Sequence, residues 1–380
     1  MRICRPGLTG ACRPAGLPRV PLTALLLERL LGRGVQTVVP LASSERTSVA
    51  RVRLGDHGGP AGRVVAKCFA QESGYAAEAA ALSCLPSGRA APVLLAEDPA
   101  ERLVVMTDVG EGRSVADALL GTDGDAAEGL LATWAAALAT VHTETAGLGA
   151  TFAAGLARRA GGAPAADPTP GWLLAVADRL RGSARDLGLA VPDGVEAELA
   201  EVADGLADGG RAALSTGDSC PDNNVVRPDG RLALIDFEEA AFRHVAWDLA
   251  YLYAPWPSCW CAWAIPEPVA TGALDRYLGC LDTPPDGAAL RRAVDLATLG
   301  WGLIAAFWFL PSALERDDTV GTPELEAPPR RAVVLHRFTV AAGTAERMGY
   351  PALALAARTW QHGLERRWGP RPLPVAPAFR

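Results

Sequence analysis

The sequence predicts an α+β chain in two lobes: a small antiparallel β-sheet, then a larger and mostly helical body. Three observations predict it. Up to residue 110 the segments alternate in the β manner and are rich in valine. A turn-rich stretch, "GDHGGPAG", links two of them as a hairpin. Beyond Gly110, alanine- and leucine-rich runs with helical spacing take over.

In chain order, residues 1–20 carry arginines but no continuous apolar run, and are expected as an N-terminal tail, not a secretory signal. "PLTALLLERLLGRG" (21–34) has the proline near its start and the glycines at its end that bracket a short amphipathic helix. "VQTVVPL" (35–41), "RTSVARVRL" (46–54) and "RVVAKCFA" (63–70) read as strands, "QESGYAAEAAALSCL" (71–85) as a helix, and "APVLLAE" (91–97) and "RLVVMTDVG" (102–110) as two more strands. These make a first lobe over 21–110.

The second lobe, 111–368, begins with "SVADALLG" and a strong helix at 126–144. A Gly/Ala/Pro-rich break at 160–171 follows, then helices at 172–187 and 194–207. "NNVV" and "RLALID" are short strands around an "RPDG" turn. The remainder is helical to about 367, interrupted at 315–330 and closed by a proline-rich tail at 369–380. Residues 296–314 carry no charge and are long enough to span a bilayer. Two glycines, a threonine, Pro311 and the flanking Asp295 and Glu315 favour a helix buried in a globular core instead.

The whole chain has 380 residues, 49% hydrophobic and 21% charged, with a net charge of −7. That balance argues against sequence-independent nucleic-acid binding, which needs a basic face, and suits a cationic small substrate. The eight cysteines show no zinc spacing, so free thiols in a reducing cytoplasm are expected.

The chemistry concentrates in two places. Lys67, within "RVVAKCFA", is the only lysine, every other basic side chain being arginine. A compact point charge in a confined site is the role arginine fills poorly. The second place is "TGDSCPDNNVVRPDGRLALIDFEEA" (216–240). A tight hairpin there would fold the loop holding Asp218 and Asn223 back beside Asp236. Hard oxygens gathered in this way suit Mg²⁺ with water and phosphate as its other ligands. Asp218, kept off the metal, could accept a hydroxyl proton. Lys67 lies mid-strand, and the following helix offers Glu78, an arrangement that aims a lysine at the phosphates of ATP.

With these residues in view the chain resembles the aminoglycoside phosphotransferase-type family of the protein-kinase-like fold. The matching segments are "VVAKCF", "EAAALSCL", "VVMTDVG", "LATVH", "GDSCPDN", "IDFE" and "WDLAYL", in that order, over residues 40 to 255. The resemblance implies ATP and Mg²⁺ as cofactors, Lys67 as the phosphate-binding lysine and Glu78 as its ion-pair partner. It implies Asp218 as catalytic base, Asn223 and Asp236 as metal ligands, and the backbone from Thr107 to Val109 as the adenine contact. Asp248 and His142 become architectural. Two positions depart from the family pattern. Thr216 stands where a histidine is usual, and the loop "LASSERTSVA" (41–50) has no glycine, so Ser44 and Thr47, among its hydroxyls, are the candidates for phosphate contact.

The implied activity is transfer of the ATP γ-phosphate to a hydroxyl of a small molecule: an aminoglycoside, another antibiotic, a sugar, an amino alcohol or a biosynthetic intermediate. Neither a nucleic-acid partner nor a membrane is expected. The alternatives are a kinase-like regulatory protein without turnover and a kinase acting on peptide Ser/Thr. Glu238 and Glu239 either attract a cationic substrate or form a solvated edge. "PWPSCWCAW" (255–263) reads as aromatic packing or a pocket wall, its two thiols lacking nearby histidines for a metal, and Cys220 as a small filler.

Overall fold

The computed structural model describes residues 22–55, 62–160, 167–207, 211–281, 286–319 and 326–380. The expected N-terminal tail and most of the "GDHGGPAG" link lie outside these residues. The first lobe is a five-stranded sheet: β1 (Val35–Ser43), β2 (Thr47–Leu54), β3 (Arg63–Phe69), β4 (Leu94–Asp98) and β5 (Leu103–Thr107). Its order is β1-β2-β3-β5-β4, with every pairing antiparallel.

Strand alternation sorts β3 between two faces. Val64, Ala66 and Cys68 join Leu27, Val52, Leu103 and Val105 in a small core beneath α1 (Ala24–Leu31). Val65, Lys67 and Phe69 face the other way. There α2 (Glu72–Ser83) packs, its alanine-rich surface buried almost throughout. Lys67 stands between Val49 and Val104 of the flanking strands. Its ammonium is therefore delivered from mid-sheet into the space between sheet, helix and second lobe.

That second lobe is built on α3 (Val115–Leu119) and α4 (Gly124–Thr145), followed by α5 (Gly149–Arg159), α6 (Thr169–Leu174), α7 (Val176–Leu187) and α8 (Val195–Gly205). The hairpin of β7 (Asn224–Val226) and β8 (Leu232–Leu234) forms as expected. A second two-stranded sheet was not anticipated. In it β6 (Ala212–Ser215) pairs with β9 (Ala241–His244), so the chain entering the Asp218 loop is laid beside the chain leaving Asp236. After α9 (Ala246–Leu249) come α10 (Glu267–Gly279), α11 (Gly287–Glu315), α12 (Arg330–Met348) and α13 (Pro351–Trp368).

Helix α11 contains the uncharged stretch, and 89% of its most apolar window is buried, packed chiefly on α12. Residues 369–380 correct the expected tail. They run back along the helical body, pair at Val375 with Ala264 and bury Ala376 and Ala378. Its prolines keep the segment from forming a regular α-helix, with only a short 3-10 turn at Pro377–Phe379, but it still has apolar side chains to bury.

Candidate active site

The β7–β8 hairpin sets the site. The Ile235 N–H donates to Asn223 O at 3.0 Å, so the strand end carrying Asp236 lies against the loop carrying Asn223. Asp236 has a φ of 67°, a left-handed conformation uncommon outside glycine, and such departures cluster at functional sites. Gly217, just before Asp218, has a φ of 77°, and a Cβ there would sit 1.7 Å from the Glu239 carbonyl oxygen. Only glycine allows the two chain segments to approach that closely.

Lys67, Glu78 and Asp236 meet. The ammonium donates at 2.6 Å to Glu78 Oε2 and at 2.6 Å to Asp236 Oδ1, and Glu238 Oε2 lies 3.4 Å away. All three primary partners are nearly excluded from solvent. Burial by itself would depress the Lys67 ammonium, but Asp236, Glu78 and Glu238 outweigh it and raise it above the ordinary lysine value. Burial and the Asp236 charge push the Glu238 carboxyl up. Three carboxylates around one ammonium leave the cluster short of positive charge. Asn223 adds a hard ligand: its Nδ2 donates to Asp218 O at 3.0 Å, while its buried Oδ1 has no hydrogen-bond partner. A buried amide oxygen without a donor and an under-compensated carboxylate are the donor set that fits Mg²⁺.

Asp218 is held differently. Its Oδ1 accepts from Ser258 Oγ at 2.6 Å, and Ser258 Oγ lies 2.9 Å from the Tyr251 hydroxyl. Ser258 therefore occupies a position where an acceptor hydroxyl would meet this carboxylate. The Ser258 loop is strained at its root: Trp256, fully buried, has a φ of 44°.

Behind the loop lies a brace. Asp248 Oδ1 accepts from Ser215 Oγ (2.7 Å), Ser219 Oγ (3.0 Å) and Arg243 (2.8 Å), and its Oδ2 lies 3.2 Å from His142 Nε2. His142 Nδ1 in turn meets the Tyr277 hydroxyl at 2.9 Å. Burial alone would raise the Asp248 carboxyl, yet Arg243, His142 and Ser215 hold it well below the carboxylate range. Thr216 faces Ser219 at 3.1 Å, so the position where the family has histidine joins this hydroxyl network.

The nucleotide-side candidates are more dispersed. Ser44 Oγ accepts from the N–H groups of Arg46 and Thr47, both at 3.1 Å, so these amides are engaged within the β1–β2 turn. Thr107 is tied to Val93 through its N–H and its hydroxyl, both at 2.9 Å, and Val109 follows just past the strand end. Between them Asp108 is clamped to β2 by Arg51 at 2.8 Å. Glu238 and Glu239 do not form a plain solvated edge. Arg46 pairs with both, at 3.1 and 3.5 Å, and Glu238 also faces Lys67. A cavity of about 530 Å³ opens beside them, bounded by Phe69, Phe152 and Phe242.

Sequence reasoning missed Ser258, Tyr251 and Arg243. Nothing local marks a serine 40 residues downstream as the partner of Asp218. Arg243 had a weak signal, five residues before an aspartate expected to be buried.

The phosphotransferase enzyme family matches the chain over residues 48–290. No curated protein matches it in sequence. Among solved structures the chain is similar to an ethanolamine kinase from Plasmodium vivax, at 12% identity and a TM-score of 0.51, covering 80% of this chain and 82% of that one. It is also similar to a choline/ethanolamine kinase family protein from Mesorhizobium loti, at 18% identity, a TM-score of 0.49 and coverage of 85% and 92%. An aminoglycoside phosphotransferase from Alicyclobacillus acidocaldarius matches at 14% identity, a TM-score of 0.49 and coverage of 92% and 98%.

Proposed function

The chain belongs to the phosphotransferase enzyme family, and on that premise we propose that it transfers the γ-phosphoryl group of ATP to a hydroxyl of a small, non-protein acceptor. One observation carries the reading. A single buried lysine bridges Glu78 of the first lobe and Asp236 of the second at 2.6 Å each, beside an amide oxygen with no donor. Proteins that only hold a nucleotide have no need for that combination together with a carboxylate such as Asp218 already engaged by a hydroxyl.

In this reading Lys67, aligned by Glu78, binds the phosphate oxygens as a compact charge. A Mg²⁺ ion, held by Asn223 and Asp236, would neutralise charge on the phosphates when bound. Asp218 accepts the proton of the attacking hydroxyl, which binds where Ser258 Oγ now lies. The Asp248 brace holds the Asp218 loop at fixed geometry, which matters because phosphoryl transfer is largely positioning and electrostatics. The backbone from Thr107 to Val109, at the lobe junction, and Ser44 and Thr47 of the β1–β2 turn are the adenine and phosphate contacts of this proposal.

The test is Mg-ATP turnover against a panel of aminoglycosides, amino alcohols and sugars, with wild type beside Asp218→Ala. Transfer to at least one acceptor, lowered about a hundredfold or more in the variant, is expected. ATP binding with neither transfer nor any hydrolysis sensitive to Asp218 would overturn the proposal in favour of a regulatory protein without turnover.

A further inference from the structure

The aromatic and thiol stretch at 255–263 does more than line a wall. Its Cys259 lies beside two residues of the Asp218 loop, a neighbourhood that nothing local in the chain marks. The ligand atoms of Cys220, Asp222 and Cys259 all lie within 4.8 Å of one another, and both thiols are buried. Cys259 Sγ is 3.9 Å from Asp222 Oδ1, and the Cys220 thiol lies within 4.8 Å of both. Tetrahedral coordination with metal–sulfur bonds of about 2.3 Å and metal–oxygen bonds of about 2.0–2.2 Å separates its ligand atoms by roughly 3.5–3.8 Å, a contraction of about 1 Å or less.

The surroundings orient both kinds of ligand. Trp260 Nε1 donates to Asp222 Oδ2 at 2.8 Å, which turns the other carboxylate oxygen toward Cys259. The Cys261 N–H donates to Cys259 Sγ at 3.5 Å. Such outer hydrogen bonds fix ligands in metal centres. A separate observation concerns charge. Arg337 is buried behind the loop with no carboxylate partner: it donates to the carbonyls of Ala305 and Pro257, and its Nε has no acceptor. Two thiolates and a carboxylate on a divalent cation carry a net charge of −1, for which this guanidinium is the nearby complement.

We propose that Cys220, Asp222 and Cys259 bind one thiophilic divalent cation of the zinc class, clasping the Asp218 loop to the 255–263 loop. Thiolate ligands exclude Mg²⁺, so this site is distinct from the Asn223–Asp236 pair. Binding displaces two thiol protons to solvent, and the fourth position falls to water. In the function proposed above, the clasped loop carries the Ser258 hydroxyl that must yield its place at Asp218 to the acceptor, so the cation would limit how far this loop can withdraw.

The experiment is titration of metal-stripped, reduced protein with Cd²⁺ in excess Mg²⁺, following the near-ultraviolet thiolate-to-cadmium absorption, then displacement by Zn²⁺. One equivalent is expected, with the absorption lost in Cys220→Ser and in Cys259→Ser and kept in Cys84→Ser. Asp222→Asn should weaken binding about tenfold or more. Circular dichroism establishes that each variant is folded, and thermal melting of wild type should shift upward with Zn²⁺. No cadmium absorption in the folded wild type would overturn the proposal. So would equal absorption in the serine variants, or a Cys220–Cys259 disulfide that forms in air and leaves Cd²⁺ without effect on the reduced protein.

Discussion

Two buried ionic clusters lie on either side of the Asp218 loop, and they are built in opposite senses. At Asp248 one carboxylate is shared among Ser215, Ser219, Arg243 and His142, so both of its oxygens are engaged. At Lys67 one ammonium is shared among Glu78, Asp236 and Glu238, and the neighbouring Asn223 oxygen has no donor. The first is complete as it stands and serves stability. The second keeps more carboxylate than cation even with Arg46 paired to Glu238, and in the proposed function a bound divalent cation would supply the balance.

The largest expected effect breaks the complete cluster. Asp248→Ala leaves Arg243 buried and unpaired and should cost about 3–5 kcal/mol of stability in urea denaturation. A loss under about 1 kcal/mol would mean the brace is not structural. Next comes the incomplete cluster. Lys67→Arg should melt near wild type yet lose about a hundredfold in turnover, because the planar guanidinium cannot approach Glu78, Asp236 and a phosphate together. Near-normal turnover would return the lysine to an accident of composition.

A third measurement separates the clusters by ligand. Mg-ATP at about a hundred times its Kd should stabilise wild type by about 2.7 kcal/mol. Asp236→Asn should lose most of that gain while Asp248 variants that remain folded keep it. The smallest effect is in pH. The folded Asp248 carboxyl is held below its unfolded value of about 3.9, so its contribution is present above that pH and lost as pH falls through the folded value. The stability gap between wild type and Asp248→Asn should therefore be flat from neutrality to about pH 4 and narrow below it.

The first lobe was legible because its signals are local. Strand alternation, the β2–β3 turn and the helix after β3 each declare themselves within about ten residues, and the observed strands fall where expected. The helix over 296–314 was correctly expected to be core by its flanking charges. The β6–β9 sheet was not legible, since its strands have 4 residues each and pair across 25 intervening positions. Helix α5 was likewise passed over, its alanine and glycine content blurring the helical period.

The linear chain determined which residues the proposed chemistry draws on: a solitary lysine, a hairpin placing Asn223 beside Asp236 after Asp218, and a glutamate in the helix after β3. Those choices are local in geometry or depend on residue type, so they can be read before folding. The fold decided who shares charge with whom. Glu238 at Lys67, Ser258 at Asp218, Arg243 at Asp248 and Cys259 beside Asp222 are pairings across lobes, sheets and loops. Side chains distant along the chain become partners only when burial removes water as the competing one, and that happens in three dimensions.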